Sequence, residues 1–181
     1  MGLFAKIKEL FSAQKYIFGV MAEMDRKNAA YASMTLPELE QLSDDDLISA
    51  LLYRTDKKLI DLLGKKKKSK PAELADLLTG AQRTAYILSH FEFDMQTGGL
   101  SHFLKCNGAL ASVVSECLGN IGATEYRALY DEFFSTYGIN LRQTALVEYS
   151  EEIALFDQSY SQLPPMEPIL APYLRANLSE F

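Results

Sequence analysis

The chain has 181 residues, 48% of them hydrophobic and including ten Phe and ten Tyr, so it can enclose a core and is not a disordered segment. Its formal charge of −6 is unevenly spread: residues 1–70 carry 13 Lys and Arg against 10 Asp and Glu, whereas residues 71–181 carry 5 against 14. The resulting −9 over the second part repels nucleic acid and attracts basic surfaces, which excludes a directly nucleic-acid-binding face there and favours a basic protein partner.

In chain order, Phe4, Ile7, Phe11, Phe18, Met21 and Met24 recur at helical spacing while Lys6, Lys8 and Lys15 fall elsewhere. Residues 1–35 therefore read as an amphipathic helical segment docked on its own domain. Leu36-Pro37-Glu38 opens a short helical turn. Ser43 followed by Asp44, Asp45 and Asp46 starts a helix that runs through Leu47, Leu51, Leu52, Leu59 and Leu62 to a glycine stop at Gly64. Lys65 to Lys68, within residues 64–71, form an exposed loop; no Arg or aromatic residue interleaves them as a nucleic-acid patch would require. Helical pattern resumes over Pro71–Leu78 and Gln82–Met95, and the double glycine of Thr97-Gly98-Gly99 turns the chain.

A short helix to Cys106, a turn at Asn107-Gly108 and a helix over Ala109–Leu118 follow, ended by Gly119-Asn120-Ile121-Gly122. Thr124 caps a helix whose buried side is Tyr126, Leu129, Tyr130, Phe133, Phe134 and Tyr137. Ser150 with Glu151 and Glu152 starts another, carrying Ile153, Phe156 and Tyr160, and Pro164-Pro165 precedes a last helix over Glu167–Leu178. Nothing alternates at period two, so the expected fold is all-α: one compact multi-helix domain over 1–181, with residues 72–181 as its acidic core. Cys106 and Cys117 read as reduced, buried thiols. No apolar run approaches the ~20 residues of a membrane span, and Lys6, Lys8 and Glu9 break up a signal-like start, so the expected compartment is the cytoplasm.

Catalytic chemistry finds little to work with. His90 and His102 each have a ligand type four residues on, Asp94 and Cys106, which makes a metal site conceivable on helix faces. The closely spaced cysteine pairs usual in a structural zinc site are missing, so no metal or other cofactor is expected. Glu92 and Asp94 are two apart and point to different helix faces; Asp94 is expected to accept N–H bonds from Thr97, Gly98 or Gly99. With no phosphate loop, nucleophile elbow or dinucleotide fingerprint, no catalytic residue is assigned. The acids remain. Helix starts account for Asp44–Asp46, Glu151 and Glu152, and Arg127 reaches Asp131, but Glu116, Glu125, Asp131, Glu132 and Asp157 have few basic neighbours. Together with Glu148, Glu151 and Glu152 they form the candidate partner-binding surface.

The stretch from Phe91 to Leu104, with Asn107-Gly108 beyond it, resembles a bacterial DNA-mimic protein family, formerly a domain of unknown function. Asp94, Met95, Gly98, Gly99, Phe103 and Asn107 match the family pattern, whereas Thr97, Leu100 and His102 stand where Asn, Phe and Gln are usual. The resemblance extends over about residues 75–181. It implies a structural motif of Asp94, Gly98, Gly99, Phe103 and Asn107, an all-helical homodimer, and an acidic face that stands in for duplex phosphates and sequesters a DNA-binding protein such as a transcription factor. Two rival functions stay open: another acidic inhibitor or immunity-type protein, and an enzyme or metal protein using His90, Asp94 and His102.

Overall fold

The computed structural model describes residues 23–64, 70–138 and 149–181. Most of the amphipathic N-terminal segment, Lys65–Lys68 and Glu148 lie outside them. The described elements are α1 (residues 23–33), α2 (Leu36–Glu40), α3 (Asp44–Leu63), α4 (Pro71–Ala75), α5 (Gly80–Cys106), α6 (Ala111–Asn120), α7 (Thr124–Tyr137), α8 (Ser150–Tyr160) and α9 (Glu167–Ala176), with single 3-10 turns at Gly108–Leu110 and Leu178–Glu180. No strand occurs among the described residues.

The local start and stop signals act as expected for α2 and α3. Thr35 and Glu38 form a capping box on α2, whose second residue is Pro37. Ser43 Oγ accepts the Asp46 N–H, and Gly64 ends α3 at φ 70°. Leu47, Ala50, Leu51, Thr55 and Leu59 form the buried stripe of α3. Thr124 and Ser150 are the first helical residues of α7 and α8 rather than their caps, a shift of one position within ordinary fraying of helix ends.

α5 is the hub, packed against α3, α6, α8 and α9. Gly98 and Gly99 interrupt its helical dihedrals, Gly99 at φ 69°. The bend is large. Phe91 and Phe103 would stand about 18 Å apart along a straight helix, yet their rings meet edge to face at 5.0 Å. Asn107 Nδ2 likewise donates to Asp94 Oδ2 at 2.6 Å across the bend. Phe91 also meets Tyr130 and Tyr160 edge to face, so one ring joins both halves of α5 to α7 and α8.

Both halves of α5 begin in the same way. At the start of the helix, Gly80 (φ 51°) precedes Ala81, whose N–H donates to Glu180 Oε2 at 2.7 Å. After the bend, Gly99 precedes Leu100, whose N–H donates to Asp157 Oδ1 at 2.8 Å. A Cβ on Gly80 would fall 2.0 Å from the Glu180 carboxylate, and one on Gly99 would fall 2.3 Å from that of Asp157. Glycine there admits both the backbone conformation and the capping acid. The chain's last helix is tied down by Arg175, which donates to Glu40 O, Leu42 O and Asp44 Oδ1 at 2.7–2.8 Å.

Replacing Gly99 with Ala is expected to cost about 2–4 kcal/mol, combining a strained left-handed residue with displacement of the Asp157 cap. Gly108, where a Cβ would meet nothing within 4 Å, is the control; G108A should change stability by less than about 0.5 kcal/mol. Urea denaturation of both variants checks this, and equal losses would remove the role given to Gly99.

Candidate functional site

The residues singled out in the sequence fall into two places, the bend of α5 and the outer acids of α6 to α8. At the bend, Asp94 is 2% exposed and Asn107 8%. Asp94 does not bond the amides of Thr97, Gly98 or Gly99, contrary to the sequence reading. The chain reversal turns its carboxyl towards Asn107 Nδ2, and His102 Nε2 stands 3.5 Å from its other oxygen. The amide after the bend goes instead to Asp157, half-buried on α8. The cap that spacing suggested for the local acid is thus supplied by a distant one.

Cys106 is exposed, correcting the expectation that both thiols are buried; Cys117 is buried, which pushes its thiol up to about 11. Cys106 Sγ lies 3.5 Å from His102 Nε2, the same nitrogen that faces Asp94. A proton relay needs the acid on one ring nitrogen and the nucleophile on the other, so this cluster is not arranged as a triad. His90 stacks edge-on against Tyr86 at 4.5 Å, and burial lowers its pKa against the pull of Asp56 and Asp94. Among the described residues no group of three His, Cys, Asp or Glu side chains is placed to hold a metal ion.

The acids divide further. Glu116 on α6 lines a depression shared with Arg83 and Asn120, away from the others. Asp131 is paired with Arg127 at 3.4 Å, as its i, i+4 spacing suggested. α7 and α8 run antiparallel, since ring contacts join Tyr137 to Tyr149, Phe133 to Phe156 and Tyr126 to Tyr160. This pairing brings Glu132 of α7 and Glu152 of α8 to the walls of one cleft of about 240 Å³, floored by Leu129, Phe133 and Phe156. Glu125, seven residues before Glu132, lies on the same face of α7, and Glu151 is exposed in the first turn of α8.

A second cleft, of about 460 Å³, lies between α5, α7 and α8 and was not anticipated from the sequence. Glu92, Asp157 and Glu167 line it together with Tyr126, Tyr160 and apolar side chains, the Tyr160 hydroxyl donating to Glu92 and the Tyr126 hydroxyl to Pro164 O at 2.5 Å. Burial pushes Tyr126 up to about 12, and Tyr160 is raised further by burial and by Glu92. No spacing rule could have joined Glu92 to Tyr160, 68 residues on.

The DMP19-like protein family matches residues 76–177, from the approach to α5 through α9. The chain belongs to this family. The matched region contains both halves of α5, the bend and every candidate acid from Glu116 to Asp157, and leaves out α1, α2 and α3. No curated protein and no solved structure matches the chain. No helix among the described residues is long and apolar enough to cross a membrane.

Burial raises the pKa of Asp157, and the Leu100 N–H offsets this only in part. For a carboxyl with a raised folded pKa, the native state holds the extra proton between the unfolded and folded values, and stability falls as pH rises through that window. Asp157→Asn keeps an acceptor and cannot ionise. It is expected to be at least as stable as the parent at neutral pH and to lose this acid-side slope, whereas Asp157→Ala gives up the bond to Leu100 at a cost of about 1 kcal/mol. Urea titrations across the acidic range check both, and an Asn variant as weak as the Ala variant at neutral pH would refute the assignment.

Proposed function

We propose that this member of the DMP19-like family is an acidic protein-binding module that imitates DNA and sequesters a DNA-binding protein such as a transcription factor. The observation that supports this best is the α7–α8 face. Glu132 and Glu152 line one cleft, Glu125 and Glu151 flank them on the same two helices, and among the described residues no ion pair engages these four. Carboxylates held in rows on rigid helices offer a basic protein a fixed pattern of negative charge, much as phosphates do. Asp157 is left out of this surface because its carboxylate serves the bend, and Glu116 because it lies apart beside Arg83.

The test begins with capture of a protein from the native cell on immobilised chain, elution by salt, and a mobility-shift competition between the chain and duplex DNA for that protein. The quadruple variant E125Q/E132Q/E151Q/E152Q should keep its fold by circular dichroism, with a stability loss of about 1–3 kcal/mol because Glu125, Glu151 and Glu152 stand in first helical turns. It should compete at least about tenfold less well and show a flatter dependence on salt. A variant that displaces DNA as well as the parent at every salt concentration would leave this face as ordinary solvated charge. A captured protein that binds the chain and DNA simultaneously would favour the inhibitor or immunity-type reading over mimicry.

A further inference from the structure

The α7–α8 cleft is more than a charged surface. Leu155 lies 62% exposed on its rim, and the floor between the two glutamates is apolar, made by Leu129, Phe133 and Phe156. Imitating a phosphate backbone requires no such floor. Resting on the function proposed above, we propose that the cleft takes a basic amphipathic helix of the protein partner. One aliphatic or aromatic side chain of that helix enters between α7 and α8, and Lys or Arg residues a turn away on either side pair with Glu132 and Glu152.

Charge and shape choose this occupant. Glu132 of α7 and Glu152 of α8 line the same cleft as Leu129, Phe133, Leu155 and Phe156, and on a helix an apolar anchor has its i±3 and i±4 neighbours about 5–6 Å away, which sets basic side chains on either side of it. Two antiparallel helices form a groove whose ridges accept a third helix, and with no strand among the described residues there is no sheet edge for an extended peptide to join. A second copy docking through the same face is disfavoured, because two-fold pairing would set each copy's glutamates against the other's.

The probe is a fluorescein-labelled helical peptide of about 18 residues, five turns long, with Leu on one face and Lys on the other. A matched peptide carries Ala for every Leu at the same charge. Anisotropy titrations with the full chain should give at least about tenfold tighter binding for the Leu peptide. Leu155→Gln, on an exposed position that leaves the fold intact by circular dichroism, should remove most of that preference without altering the Ala peptide. E132Q/E152Q should weaken both peptides and reduce their salt dependence. Equal binding of the two peptides, or a preference untouched by L155Q, would overturn the docking site while leaving the charged surface of the proposed function standing. Binding of both peptides unaffected by E132Q/E152Q would count against both proposals. Sedimentation showing a dimer that L155Q dissolves would overturn the partner helix in favour of a self-interface.

Discussion

Two carboxylates from the C-terminal part of the chain cap the central helix, one at its start and one at its bend. A helix leaves its first N–H groups without intrahelical acceptors, and a sharp bend creates a second set in the middle of the protein, where water cannot reach them freely. Glu180 supplies the acceptor at Ala81 and Asp157 the acceptor at Leu100. Each acid sits where a side chain on the preceding glycine would otherwise be. The bend is thus specified jointly by glycine at 99, which permits the backbone, and by Asp157, which rewards it. Everything packed against α5 takes its position from that bend.

The aromatic residues convert the bend into a core. Phe91 lies under the turn and touches rings from both directions, Phe103 beyond the bend and Tyr130 and Tyr160 from α7 and α8. Tyr130 is almost wholly buried, and its hydroxyl escapes the cost of burial by donating to Ala111 O at 2.9 Å. Through that one ring and its hydroxyl, α7 is joined to the first half of α5 at Phe91 and to the start of α6 at Ala111. The outward sides of α7 and α8 are relieved of packing duty, which frees Glu125, Glu132 and Glu151 to face solvent, with Glu152 half-buried beside them.

What was legible in the sequence was what rests on neighbours in the chain. Ser43 with Asp44–Asp46, Gly64, Pro37 and the paired glycines at 98 and 99 signal their structure within a few residues, and the structure follows them. The errors share a physical cause. Asp94 has amides close by in the sequence, but the bend brings Asn107 to Asp94 and gives the Leu100 amide to Asp157 on α8. Asp157 looked like surplus surface charge because its partner is 57 residues away. Cys106, an apolar-looking position, falls on the outer face after the bend. The acids of the candidate surface were visible one by one, but only the antiparallel seating of α7 on α8 separates Glu132 and Glu152, which share a cleft, from Glu116, which does not.

The placement of the two caps bears on how the chain acquires its shape during synthesis. The first turn of α5 emerges from the ribosome 99 residues ahead of Glu180, and the turn after the bend emerges 57 residues ahead of Asp157. At translation rates of about 5–20 residues per second, the long helix spends several seconds with both sets of amides open. Tyr130 arrives about half-way through the interval before Asp157, and Tyr160 only after it, so Phe91 gains its ring partners one at a time. The bend and the helix start can thus be capped only after most of the chain has been made, Asp157 first and Glu180 last.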